Sequence, residues 1–198
     1  MITMKNILRE GHPTLNKRAK VVDLPLSDDV KETLREMRQF LINSQDAEIA
    51  EKYSLRPGVG LAAPQINIPV RMLAIYTEDE DYEEHHDYLM VNPRIVSHSE
   101  AQTYMPGGEG CLSIDREVEG IVSRHKKVTV KTHLYDTETD TLTETTLRLK
   151  GFVGIVFQHE LDHLNGILFT EKVKESLEGV FPVQFKTINQ EETKEENA

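Results

Sequence analysis

The chain has 198 residues and a formal net charge of -11 at pH 7, from 34 acidic and 23 basic side chains. That field repels polyanions and argues against general nucleic-acid binding, for which the chain also carries no direct motif. The length suits one domain with a sizeable core, and the single cysteine, Cys111, excludes an intrachain disulfide and suits a reducing, cytoplasmic setting.

Taken in chain order, Lys5, Arg9 and Glu10 interrupt the first residues, so no apolar signal core begins there. The longest apolar run, near Phe152–Phe157, is far short of the roughly 20 residues a membrane span needs. Ser27 is placed to cap a helix whose stripe is Val30, Leu34, Met37 and Leu41, with Asp28 and Asp29 at its positive end. A second helical stretch at 46–53 stops before Arg56-Pro57-Gly58. Residues 70–76, 88–96 and 120–122 read as strands, and the acidic run 77–87 reads as a solvated insertion. Residues 128–135 and 141–150 read as a hairpin around a turn at 136–140. A helix over 152–164 follows, with Gly166 placed to stop it, and 180–185 suggest a late edge strand containing Pro182. The pattern predicts an α+β fold: antiparallel β-sheets around a central buried helix, plus an N-terminal helix. Residues 1–188 form the expected single domain and the polar run 189–198 an expected disordered tail.

The chemistry concentrates in Gln158-His159-Glu160-Leu161-Asp162-His163. Residues four apart share a helical face, so both imidazoles can reach one metal ion, and Glu160 lies beside them within reach of a water held there. Phe157 and Leu161 make the other side apolar, so the helix is predicted to be buried all round. At this composition a His-Glu-x-x-His motif arises by chance roughly 0.04 times per chain. The third ligand decides the class. The spacing that would supply a third histidine falls on Phe169, and Glu171, Glu175 and Glu178 leave little chain to reach back. Upstream, Glu109-Gly110-Cys111-Leu112-Ser113 holds the only thiol. A lone cysteine is commonly a small buried hydrophobe. As a thiolate beside two imidazoles, however, it leaves one position open, which is the mark of a catalytic site. A zinc endopeptidase of the His-Glu-x-x-His type is the alternative, and it requires Glu or His in the place of Cys111.

Gly58-Val59-Gly60-Leu61-Ala62-Ala63-Pro64-Gln65 superficially matches a dinucleotide fingerprint, but no apolar strand leads into it, and Pro64 and Pro69 oppose a following helix. It is either an ordinary glycine loop or a backbone that must approach a substrate, with the Gln65 amide able to donate to a developing oxyanion.

Together these three motifs, in this order, resemble those of peptide deformylase, and residues 114–117 with the acidic run resemble its second bacterial class. The resemblance implies hydrolysis of the formyl group from N-formylmethionyl nascent polypeptides, releasing formate. It implies Cys111, His159 and His163 as metal ligands, with Fe(II) expected and Zn, Ni or Co possible in purified protein. Glu160 becomes the general acid–base, and the Gln65 amide and the Leu112 N–H become oxyanion donors. Val59, Phe152, Ile155 and Val156 are expected to line a methionine slot, and the peptide to run along Gly58, Gly60 and Gly108. A transient ribosome contact and a monomer are the expected associations. Asp162 is expected to pair with Arg124, while His12, His85, His86, His125 and His133 are expected not to be ligands.

Overall fold

The computed structural model describes residues 1–187; the tail expected at 189–198 lies outside the described residues. Ser27 Oγ accepts from the Val30 amide at 3.4 Å and opens α1 (Asp28–Gln45). Asp46 then closes α1 and caps α2 (Ala47–Tyr53) through the Ile49 amide at 2.9 Å. Strands follow as β1 (Gly60–Ala62), β2 (Met72–Glu78), β3 (His85–His98) and β4 (Gln102–Tyr104). The short β5 (Ile121–Val122) and β6 (Arg124–His125) lead to a long hairpin, β7 (Lys127–Asp136) and β8 (Thr141–Lys150). Helix α3 (Gly151–Leu164) comes next, then β9 (Val173–Lys174) and β10 (Phe181–Pro182).

The main sheet is antiparallel in the order β1-β2-β3-β7-β8 and separates α1 from α3. Strand period explains how one sheet serves two cores. Met72 and Ala74 face Leu34, Met37, Phe40 and Leu41 of α1, whereas Leu73 and Ile75 face Val153, Val156, Phe157 and Leu161 of α3. A strand covered on both sides reads as an unbroken apolar run, which is why β2 lacks alternation. Helix α3 is buried from Val153 to Leu164, polar residues included, as a helix lodged inside a molecule requires. Gly166, at φ +75°, ends it where a Cβ would stand 2.8 Å from the Asn16 backbone.

Two readings change in detail. The acidic run is ribbon at both ends: Thr77 and Glu78 finish β2 and pair with His86 and His85 of β3, leaving 79–84 as the loop. This ribbon projects past the core, so no apolar side chain marks its period. The late strand contracts to Phe181–Pro182, paired in parallel with Thr103 and Tyr104 of β4, with Phe181 77% exposed. No described helix is long and apolar enough to cross a membrane.

Candidate metal centre and active site

Helix α3 presents His159 and His163 to the loop carrying Cys111, and the three ligand atoms lie within 4.8 Å of one another. Cys111 Sγ stands 3.3 Å from His163 Nε2. The three residues are only 8, 8 and 1% exposed in the order Cys111, His159, His163. The cysteine loop is held from outside by two guanidinium groups. Arg56 donates to the carbonyls of Cys111 (3.0 Å) and Ile114 (3.1 Å), and Arg9 donates to that of Leu112 (3.1 Å). Both also reach Asp115. The sulfur receives the Ser113 N–H at 3.4 Å and lies 3.7 Å from Gln65 Nε2. Such contacts spread charge from a thiolate onto fixed donors.

Behind the histidines stands a buried ionic network whose centre was missed in the sequence. Glu109 Oε2 accepts from His159 Nδ1 at 2.8 Å, which leaves Nε2 to point at the sulfur side. Arg124 forks onto the same carboxylate through Nε and Nη2, each at 2.8 Å, and its Nη1 donates to Asp162, which also accepts from Lys172 Nζ at 2.8 Å. Burial pushes the Glu109 carboxyl up, but hydrogen bonds from Arg124 and His159 outweigh it and hold it at about 2. Burial lowers the Arg124 pKa, yet Glu109 and Asp162 raise it overall, so the guanidinium stays charged. His159 is likewise raised, because Cys111 and Glu109 overcome its desolvation. His163 is lowered by burial and by the charge of His159, and its buried Nδ1 has no hydrogen-bond partner among the described residues. Glu109 lies two residues before Cys111, but its partner Arg124 is fifteen further on, a pairing without a local signature.

Glu160 is pushed up to about 7, chiefly by burial, with Glu109 and Asp162 adding repulsion. Its Oε2 is buried without a hydrogen-bond partner among the described residues. The close passage of β1 explains one glycine: a Cβ on Gly60 would lie 2.5 Å from Glu160 Oε1. Gln65, on the 3-10 turn Ala63–Ile66, is locked by its Oε1 accepting from the Ala62 amide at 2.8 Å and by Nε2 donating to Ser113 Oγ at 3.1 Å.

These groups open into a cavity of about 280 Å³. The structure brings Gly58, Val59, Gly60, Gln65, Gly108, Cys111, Leu112, Phe152, Ile155, Val156, His159 and Glu160 to its wall, while His163 stands behind the sulfur. Met105 also lines it and was not foreseen, since an isolated methionine before Pro106-Gly107-Gly108 carries no periodic signal. Asp162 turns to Arg124, as expected. Of the other histidines, His86 groups with Asp79 and Glu84 at the tip of the β2–β3 ribbon, away from the cavity.

The donor set fits a divalent ion. One sulfur and two imidazoles converge, a carboxylate fixes the tautomer of one imidazole, and Glu160, whose buried Oε2 has no hydrogen-bond partner among the described residues, lines the same cavity. The endopeptidase alternative finds no support, because Cys111 itself completes the cluster. Comparison with known proteins gives the same direction. The model of the family described as polypeptide deformylase matches residues 4–178. A peptide deformylase of Staphylococcus epidermidis is 55% identical over 173 residues, covering 87% of this chain and 92% of its own. Peptide deformylase 2 of Bacillus cereus is 51% identical, covering 87% and 91%. The solved peptide deformylase of Plasmodium falciparum superposes with a TM-score of 0.65 at 31% identity, covering 85% and 86%. The cysteine loop and the paired histidines meet in one cluster, and the chain belongs to the polypeptide deformylase family.

Proposed function

We propose that this protein removes the formyl group from N-formylmethionyl nascent polypeptides by hydrolysis, releasing formate. The observation that carries the reading is the meeting of Cys111, His159 and His163 next to a cavity whose wall includes Glu160, its buried Oε2 without a hydrogen-bond partner among the described residues. Cys111, His159 and His163 would hold Fe(II), with zinc, nickel or cobalt as substitutes the same donors accept. A metal there supplies Lewis acidity, lowering the pKa of water and polarising the formyl oxygen.

The remaining steps belong to the chain. Glu160, at the cavity wall next to His159, takes a proton from the attacking water and returns it to the departing amine. The Gln65 amide and the Leu112 backbone N–H donate to the tetrahedral oxyanion. Val59, Phe152, Ile155 and Val156 give the methionine side chain an apolar wall. Strand β1 is an edge of the main sheet, so a peptide laid along Gly58-Val59-Gly60 would extend the ladder through backbone groups and read little downstream sequence; Gly108 flanks the other side. The reading extends to a cytoplasmic monomer that meets nascent chains in brief contact with the ribosome.

The test is formate release from paired formyl-Met and acetyl-Met tripeptides by anaerobically purified, metal-analysed protein. Formate from the first and no acetate from the second is expected. No formate from metal-replete protein would overturn the proposal.

A further inference from the structure

The loop at 79–84 takes no part in the chemistry above, yet it reaches the catalytic helix. Lys150, the residue preceding α3, offers its first turn no side-chain cap. The acceptor comes instead from the loop: Glu80 Oε2 takes the Phe152 backbone N–H at 2.9 Å. Gly151 makes room for it, since at φ +57° a Cβ would stand 1.9 Å from Glu80 Oε1. The loop is itself pre-shaped. Asp79 Oδ1 accepts from the amides of Asp81 (3.2 Å) and Glu83 (3.0 Å), and the Asp79 amide donates to the Glu84 carbonyl at 3.0 Å. The chain after β10 straps it down: the Lys186 amide donates to the Glu80 carbonyl at 2.9 Å and Lys186 Nζ pairs with Glu83 at 3.2 Å. On the same strap, the Phe185 ring meets Phe152 edge-on, with centroids 5.2 Å apart. Two segments distant in sequence therefore converge on one residue of the cavity wall, Phe152.

We propose that Glu80 is a positioning residue for substrate selection: by holding the Phe152 amide it sets where that ring stands, and so the shape of the slot for the first side chain. The inference rests on the deformylase reading, which gives that slot to methionine. Removing the acceptor loosens the first turn of α3 but leaves the histidines, two turns further along, in their network.

The experiment compares kcat and KM of metal-loaded holoenzyme for formyl-Met and formyl-Ala tripeptides of otherwise equal sequence. Glu80→Ala is expected to raise KM for the methionine peptide about fivefold to tenfold, leaving its kcat within about twofold and its metal content unchanged. The alanine peptide, too short to reach Phe152, is expected to show no change, so the preference for methionine falls. Glu80→Gln keeps a carbonyl oxygen for the amide and is expected to restore the preference. In a Phe152→Ala background, removing Glu80 is expected to change selectivity no further. An unchanged preference in Glu80→Ala, no rescue by Gln, or additive losses in the double variant would each overturn the role. Wild-type holoenzyme that releases no formate would instead sink the underlying functional reading.

Discussion

At the scale of single residues, the site depends on close approach. Gly60 has no room for a methyl group, because Glu160 Oε1 occupies the place where a Cβ would be, 2.5 Å away. Gly60→Ala is therefore expected to lower kcat at least tenfold by displacing the proton carrier, with metal content unchanged; steady-state kinetics and elemental analysis check this. Gln65 is fixed at both ends of its amide, so its donor needs no reorganisation during reaction. Losing one such donor costs about 3–4 kcal/mol of barrier, so Gln65→Ala is expected to reduce kcat about a hundredfold or more, again with metal retained. Normal turnover in that variant would remove Gln65 from the mechanism. Cys111→Ser replaces a soft ligand by a poor one and is expected to empty the purified protein of its ion, read directly by metal analysis.

At the scale of elements, α3 is held by ion pairs as well as by packing. Arg124 is 2% exposed and spans Glu109 and Asp162, tying β6, the cysteine loop and α3 together. Breaking one member of a buried ionic network costs about 3–5 kcal/mol, since it strands the partner. Arg124→Leu is expected to lower thermal stability by that order and to weaken metal affinity about tenfold to a hundredfold as Glu109, which holds His159 Nδ1, loses its own support, measured by thermal melts and chelator competition. Much of this architecture is legible in sequence. Spacing four apart on an apolar helix marks His159 and His163, and the alternation at 128–135 and 141–150 marks the hairpin. What was hidden lacks local pattern. The tip of the β2–β3 ribbon, Thr77 and Glu78 against His85 and His86, is polar on both faces, β10 is two residues long, and the Glu109–Arg124 and Glu80–Phe152 contacts join residues whose neighbours in sequence say nothing of each other.

At the scale of the whole molecule, the network carries a pH dependence. Glu109 is held at about 2, below its ordinary value of 4.5, so its carboxylate favours the folded state. That contribution is complete above about pH 4.5 and is lost as pH falls through about 2; by linkage it amounts to about 3 kcal/mol. Metal-free protein is therefore expected to lose stability on acidification across this window. In Glu109→Gln that part of the slope disappears, although the variant starts lower because Arg124 is left undercompensated. Denaturant melts at a series of pH values, with chelator present, measure both slopes; parallel slopes would reject the assignment to Glu109.

The chain has one thiol, and it sits at the cavity wall between two imidazoles. An alkylating dye thus has a single address on this protein, with no background from other sulfurs. The fraction of molecules it labels under native conditions counts those whose sulfur is unshielded by a bound ion, so the unlabelled remainder in a simple colour reaction is a census of loaded enzyme.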